Sequence, residues 1–286
     1  LDETALREAS TRWNARAYSS LDELLDDERI EVVYLAVPNA LHASLGERVV
    51  TAGRHLWCEK PLCPTLEAAR HLVALAREHG RAVFEGYMFP HHEQFRRIRS
   101  ILEDGTLGRI RSLTARFGFP HRPADDFRYR NDAGGGALND AAGYPLAAAR
   151  RLLGPIESVS AYIESDDGYN VDTAGSALLR ATSGAHAHLE WGFGRAYKSE
   201  LEIWGELGTL YAPRFFTKPP TLETTLSIRL QSGETHEESV AACNHFTNMF
   251  DVFAEAVQSG QTAPLMDEAL AQSELLSGVR ARGGKA

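Results

Sequence analysis

Strand and helix signals alternate over residues 1–90, and that alternation restricts this part of the chain to parallel βαβ units. Val32-Val33-Tyr34-Leu35-Ala36-Val37 is a continuous apolar run stopped by Pro38, the pattern of a strand covered on both faces. Leu41, Leu45 and Val49 then recur every four residues until Gly53, with Asn39 placed to cap the helix they predict. His55-Leu56-Trp57-Cys58 is a second short strand. Thr65 caps a further helix whose Leu66, Ala69, Leu72, Val73 and Ala76 share one face, Gly80 closes it, and residues 81–85 form a third strand. Upstream, Ser20 and Glu23 make a capping box for a short helix through Leu21, Leu24 and Leu25.

After Gly108 the apolar period changes. Leu113, Ala115, Phe117 and Phe119 alternate with polar or small residues, as do Val159, Ala161 and Ile163. Two further alternating segments carry Leu189, Trp191 and Phe193, and Leu226, Ile228 and Leu230, next to Ser183-Gly184 and Ser232-Gly233 turns. This predicts a large, mostly antiparallel sheet with one face covered. Phe246, Met249, Phe250, Phe253 and Val257 then form a wide helical stripe that reads as core. The chain divides near residue 90, into domains over residues 1–90 and 91–286. At 286 residues with 43% hydrophobic content, both can bury a core.

The formal net charge of −9 argues against a general binder of nucleic acid or of anionic membranes. No apolar run reaches the roughly eighteen residues of a membrane span. Cys58, Cys63 and Cys243 are too few and too irregularly spaced for a disulfide framework or a zinc knuckle, as expected of reduced thiols in a cytoplasmic protein. His91-His92 lacks a third ligand at a recognisable spacing, so no metal is expected.

In an open parallel sheet, ligands bind outside the carboxyl ends of the strands. Pro38, Asn39 and His42 follow one such end, Glu59 and Lys60 a second, Gly86 and Tyr87 a third. Much further on, Gly134-Gly135-Gly136 opens a segment through Leu138, Asn139, Asp140 and Tyr144 to Pro145. Three ordered glycines are entropically costly and suit a loop that approaches something closely. If the segment is helical, Asp140 and Tyr144 share a face. Lys60, Asp140 and Tyr144 together supply a cation, a carboxylate and a phenol, a set suited to moving a proton on or off a sugar oxygen. Just upstream, His121 and Arg122 in Phe119-Pro120-His121-Arg122-Pro123, and Arg128 and Arg130 around Tyr129, place three arginines and a histidine near aromatic rings, as phosphate and sugar binding require.

Ala36-Val37-Pro38-Asn39-Ala40-Leu41-His42, Cys58-Glu59-Lys60-Pro61-Leu62, Glu85-Gly86-Tyr87-Met88 and the segment from Gly134 to Pro145, in this order, resemble the glucose-fructose oxidoreductase / inositol dehydrogenase / rhizopine-catabolism (Gfo/Idh/MocA) family of NAD(P)-dependent enzymes. The resemblance runs the length of the chain. It implies a Rossmann domain followed by an α/β domain whose open, mostly antiparallel sheet commonly forms the oligomer interface, so a homo-oligomer is expected. It also implies NAD or NADP as cofactor, against Pro38, Asn39, His42, Glu59, Lys60 and Tyr87. Catalysis would fall to Lys60 and Asp140, with Tyr144 where many members carry histidine. A tyrosine there resembles the branch of nucleotide-sugar 3-ketoreductases and dihydrodiol dehydrogenases, in which tyrosine is the proton donor.

The implied chemistry is hydride transfer to the ketone of a sugar or nucleotide-sugar. Tyr144 would protonate the alkoxide, Lys60 would lower the phenol's pKa and stabilise the oxyanion, and Asp140 would orient Lys60. His121, Arg128, Tyr129, Arg130 and Asn139 would bind the substrate. Family chains open with a strand, a Gly-x-Gly-x-x-Gly loop, a helix and a second strand; this sequence begins in the helix that follows, roughly thirty residues in. Gly192-Phe193-Gly194 is no substitute, because strand residues follow it and the third glycine is missing. The expected fold is α/β, an N-terminally incomplete Rossmann sheet followed by the antiparallel-sheet domain. Two other readings stay open at this stage: redox-neutral proton transfer by the same residues, as an isomerase, lyase or cyclase, and a binding partner built on the antiparallel sheet.

Overall fold

Two sheets organise the chain, and the computed structural model describes residues 2–284. The first unit runs α1 (Glu3–Trp13), α2 (Leu21–Leu25), β1 (Val32–Leu35), α3 (His42–Thr51), β2 (His55–Cys58), α4 (Leu66–Glu78) and β3 (Val83–Glu85). β1, β2 and β3 pair in chain order and in parallel, with Val33 opposite Leu56 and Trp57 opposite Phe84. The second unit runs α5 (Glu93–Glu103), β4 (Ile110–Phe119), α6 (Gly143–Leu153), β5 (Ile156–Glu164), β6 (Ala174–Ala181), β7 (His186–Phe193), β8 (Lys198–Gly205), β9 (Gly208–Pro213), β10 (Thr224–Leu230), β11 (Thr235–Val240), α7 (His245–Ser259) and α8 (Ala263–Arg282). Its eight strands lie in the order β11-β10-β9-β8-β4-β7-β6-β5. Every neighbouring pair is antiparallel except β4 with β7. The α/β class and the large, mostly antiparallel sheet are as the sequence predicts.

The local signals mostly act as the chemistry dictates. The Ser20 hydroxyl accepts from Glu23 N at 3.1 Å, while the Glu23 carboxylate accepts from Ser19 N at 2.8 Å, one residue further out than the usual capping box. The Thr65 hydroxyl accepts from Ala68 N at 3.2 Å. Asn39 departs from expectation. It caps nothing; it is buried, and its amide donates to Gly134 O at 3.0 Å. The longer-range partner wins because the glycine loop brings the Gly134 carbonyl, which also accepts from Asn139, against the segment after β1.

Two apolar segments are less covered than their patterns predict. Val33 and Leu35 are buried against α3 and α4, but Tyr34 is 52% exposed, because β1 is an edge strand of the described sheet and its other face is only partly roofed. That roof is α7, whose Phe253 stacks on Phe84 and whose Phe250 stacks on Trp57. Met249 and Phe253 of the α7 stripe are core, whereas Phe246 and Phe250 are about half exposed. The three cysteines are free thiols, two of them buried. Among the described residues, no helix is long and apolar enough to cross a membrane.

Besides α7, which roofs the first sheet, α8 crosses a division at residue 90. Met266 and Ala269 of α8 sit in the core of the first unit, while Leu275, Leu276 and Val279 belong to that of the second. Ion pairs from Arg70 to Glu274 (2.9 Å) and from Arg150 to Glu268 (2.6 Å) fix α8 to both sides. Gln272 adds a buried hydrogen bond to Gly143 O at 3.0 Å. The core of the first unit therefore includes part of α8, and that helix is one of the contacts that hold the two units together.

Glu85, at the end of β3, is 8% exposed and accepts from Leu62 N at 2.8 Å. It thus pins the segment just after Lys60, whose Lys60–Pro61 peptide is cis. Burial pushes its carboxyl up to about 7. Since the folded pKa lies above the unfolded one, the folded state binds more protons between the two values. This contribution is fully present below the unfolded pKa and is lost as pH rises through about 7. The loss amounts to about 3 kcal/mol over that window. Glu85→Gln keeps a carbonyl acceptor for Leu62 N but has no charge to bury. Urea unfolding should therefore show the variant gaining on the wild type as pH rises from about 5 to about 8. Parallel pH profiles would contradict this.

Candidate active site

The strand ends of the first unit and the glycine segment of the second meet at Lys60. Its ammonium donates to Asp140 Oδ1 at 2.8 Å and to Asp140 O at 2.7 Å. Residues Leu138–Ala142 form one π-helical turn that runs directly into α6, a distortion that recurs at functional sites. The turn keeps Asp140 and Tyr144 on one side, as a helical reading of their spacing requires, and aims both at Lys60. Two contacts hold the turn at its start. Asp172 accepts from Leu138 N at 2.6 Å, and the positive φ of Gly136 lets the backbone pass where a Cβ would strike that same carboxylate.

Tyr144 is 6% exposed and ringed by aromatics, with Phe117 4.6 Å, Tyr87 5.5 Å and Phe216 5.9 Å away between centroids. Lys60 Nζ lies 5.2 Å from the centre of its ring, a cation–π contact. The phenol itself donates to Met88 Sδ at 3.8 Å. A Cβ at Gly143 would overlap the Tyr87 hydroxyl, so the glycine lets Tyr87 pack beneath Tyr144.

The charges form a chain. Asp140 Oδ2 accepts from Arg128 Nε at 2.8 Å, and Arg128 in turn pairs with Asp126 at 3.1 Å. Burial works to raise the Asp140 carboxyl, but Lys60 and Arg128 overcome it and hold it below the usual carboxylate range. Burial likewise works against the Lys60 ammonium, and Asp140 reverses that, leaving its pKa raised. Tyr144 is raised by burial, an effect that Lys60 only partly offsets. The phenol is thus held protonated. Lys60 acts to lower it, as expected, but desolvation outweighs a cation placed over the ring face, so the net shift is upward.

These groups line a cavity of about 580 Å³ together with Glu59, Phe117, Phe119, Pro120, His121, Arg122, Tyr197 and Thr217, a size suited to a small-molecule ligand. Of the residues singled out in the sequence, Glu59, Lys60, His121, Arg122, Arg128, Asp140 and Tyr144 reach this cavity. The others surround it. The His42 ring nitrogens lie 2.8 Å from Pro61 O and 3.0 Å from Val37 O, tying the Lys60 loop to the end of β1. Pro38 is exposed at that strand end. Asn139 donates to Gly134 O and accepts from Arg280, bracing the glycine loop. The Tyr129 hydroxyl accepts from Arg122 N at 3.0 Å and lies 3.1 Å from His121 Nδ1.

Arg130 is not brought in; it is exposed and paired with Asp132 at 2.6 Å. His92 caps α5, its Nδ1 accepting from Gln94 N at 3.0 Å. Sequence reasoning missed Tyr197 and Thr217, which come from the β7–β8 and β9–β10 connections and carry no local motif.

Comparison with known proteins agrees with this geometry. Residues 2–87 match the model of an oxidoreductase family with an NAD-binding Rossmann fold, and residues 95–211 match the GFO/IDH/MocA C-terminal domain. The chain is 36% identical to a dTDP-3,4-didehydro-2,6-dideoxy-alpha-D-glucose 3-reductase of Actinomadura kijaniata, over 94% of this chain and 81% of that one. It is 35% identical to the enzyme of that name from Streptomyces violaceoruber, over 96% and 83%. A crystal structure of a 3-ketoreductase from A. kijaniata in complex with NADP and TDP-benzene superposes with a TM-score of 0.93 at 34% identity, covering 99% of this chain and 87% of that one. The same ketoreductase has also been solved with a tyrosine replaced by phenylalanine and with a lysine replaced by alanine or glutamate. Both halves of the chain, the relatives that span nearly all of it and the shared fold agree: this protein is an oxidoreductase of the Gfo/Idh/MocA family.

Proposed function

We propose that the protein is an NAD(P)-dependent reductase acting on the ketone of a nucleotide-linked sugar. The observation that carries this is the convergence of Lys60, Asp140 and Tyr144 on one cavity at the strand ends of the parallel sheet. The ketoreductases it resembles support the substrate class. In the related ketoreductase, the substituted lysine and tyrosine stand as far apart along the chain as Lys60 and Tyr144 do here.

The residues present fit the cofactor. The carboxyl ends of β1 and β2 lead into Pro38, Asn39, Glu59 and Lys60, so a nicotinamide held along that rim would lie beside the cavity that Lys60 and Tyr144 line. Bound there, it would supply the hydride for the carbonyl carbon. The chain's own groups do the rest. The Lys60 ammonium, kept charged by Asp140, stabilises the negative charge developing on the carbonyl oxygen. Tyr144, held protonated, donates the proton that completes the alcohol. The surrounding aromatic rings keep water from the reacting oxygen.

A second reading gives the proton transfer to Lys60. It is favoured by the placement of Tyr144, whose hydroxyl is turned to Met88 and makes no hydrogen bond to the ammonium. Two variants separate the readings. If Tyr144 is the donor, Tyr144→Phe should lose on the order of a hundredfold or more in kcat. If Lys60 is the donor, Tyr144→Phe keeps near-normal turnover while Lys60→Ala loses about as much. Full activity in both variants would overturn the site assignment.

The outward face of the large sheet supports a homo-oligomer. Tyr162, Leu178, Trp204 and Tyr211 occupy its solvent-side positions at 45, 45, 64 and 39% exposure, a large apolar contribution for one monomer face. Trp204→Arg should shift the protein to a smaller species in size-exclusion chromatography with light scattering. An unchanged mass would place the interface elsewhere.

A further inference from the structure

We propose that Arg122, which lines the cavity, and Arg214, whose guanidinium lies over the ring of the cavity-lining Tyr197, grip the diphosphate of the substrate, while the interior receives only the uncharged sugar. This rests on the nucleotide-sugar reading above. The interior cations are already spoken for. Lys60 is paired with Asp140, and the Arg128 fork is divided between Asp140 and Asp126 at 2.8 and 3.1 Å. Glu59 adds a further carboxylate to the lining. The inner cavity therefore carries no net positive charge to offer a phosphate, and Arg128, a natural choice from sequence, has few free donors left.

The rim is different. Arg122 lines the cavity and makes no ion pair among the described residues; its guanidinium lies 5.4 Å from the centre of the Phe119 ring. Its backbone is held by the Tyr129 hydroxyl. Arg214 also lacks an ion pair among the described residues, and its guanidinium lies 4.8 Å from the centre of the Tyr197 ring. The Tyr197 hydroxyl is 2.8 Å from Thr217 Oγ1, and both residues line the cavity. Each arginine is thus laid flat on an aromatic wall, which fixes the planar fork and leaves its donors unspent.

Two features mark Arg214 as held for a purpose. Its φ of 53° is left-handed, a conformation that non-glycine residues seldom adopt and that clusters at functional sites. It also lies close enough to Lys218 to act on it. That lysine is 7% exposed, donates to Gln94 Oε1 at 2.8 Å and Phe215 O at 2.9 Å, and is pushed down to about 7 by burial with help from Arg214. A bound diphosphate would relieve this crowding of positive charge. The two guanidinium groups match the two charges of a diphosphate diester, each able to bind bidentately.

Titration calorimetry with thymidine diphosphate as the probe tests this on the wild type, Arg122→Gln, Arg214→Gly and the pair. Glycine suits the backbone at 214, and circular dichroism checks that each variant is folded. Each single change should weaken binding roughly tenfold and the pair roughly a hundredfold. With the nucleotide-linked keto sugar, KM should rise while kcat stays within about twofold, since these contacts are remote from the reacting carbon. Arg99→Ala, an exposed helix arginine paired with Glu103, should bind as the wild type does. Wild-type affinity in both rim variants would overturn the rim assignment and leave the nucleotide-sugar reading standing. A wild type that binds no thymidine diphosphate, yet reduces an unlinked keto sugar, would overturn both.

Discussion

The contact between Lys60 and Asp140 joins the two halves of this molecule at the cavity we propose as its active site. Lys60 ends a strand of the parallel sheet, and Asp140 sits in a π-helical turn 80 residues later. Their side chains are only 11 and 9% exposed. A pair buried this deeply gives little net stability, because desolvation consumes most of the Coulombic gain. What it fixes is position. The ammonium is held by two oxygens of Asp140 and laid against the Tyr144 ring, while Arg128 occupies the remaining carboxylate oxygen. Glu85, His42 and Asp172 brace the two backbones that carry the pair, each from a different element.

From this follows a cavity whose charge changes with depth. Its floor is polar and compensated, a place where hydroxyls and a carbonyl can be bound without a free ion competing for them. Further out, Arg122 lies over the ring of Phe119 and Arg214 over that of Tyr197, both rings belonging to the lining. Aromatic rings shield the inner end, so in the proposed reaction charge developing on the carbonyl oxygen would meet a fixed ammonium in a medium of low polarity. α8 helps to hold the two units together and thereby links the stability of the fold to the geometry of the site.

Much of this was legible in the sequence, for physical reasons that differ by element. The parallel strands and their helices declare themselves through short apolar runs and local caps such as Ser20 and Thr65, where the partner lies a few residues away. The motif residues Lys60, Asp140 and Tyr144 stand out because their segments are unusual in composition, and the fold brings them together at one cavity. What stayed hidden depends on distant partners. Asn39 looks like a cap and instead bonds Gly134. Arg128 looks like a phosphate ligand and is spent on two carboxylates, while Arg130 pairs at the surface. Tyr34, Phe246 and Phe250 have core-like patterns but lie on a partly covered face. α8 buries residues toward both sheets, so no single apolar stripe betrays it. The direction of the Tyr144 shift needed the depth of its burial, which no pattern of residue types contains.

The most direct test of the account is the protonation state of Lys60, followed by NMR through its ε-carbon in the wild type and in Asp140→Asn. If Asp140 is what keeps the buried ammonium charged, Lys60 in the wild type stays protonated beyond the ordinary lysine range. In the variant its titration moves down, because the largest group opposing burial is gone. Identical titrations in the two proteins would contradict the account, since the carboxylate would not then be setting the charge on which the site depends.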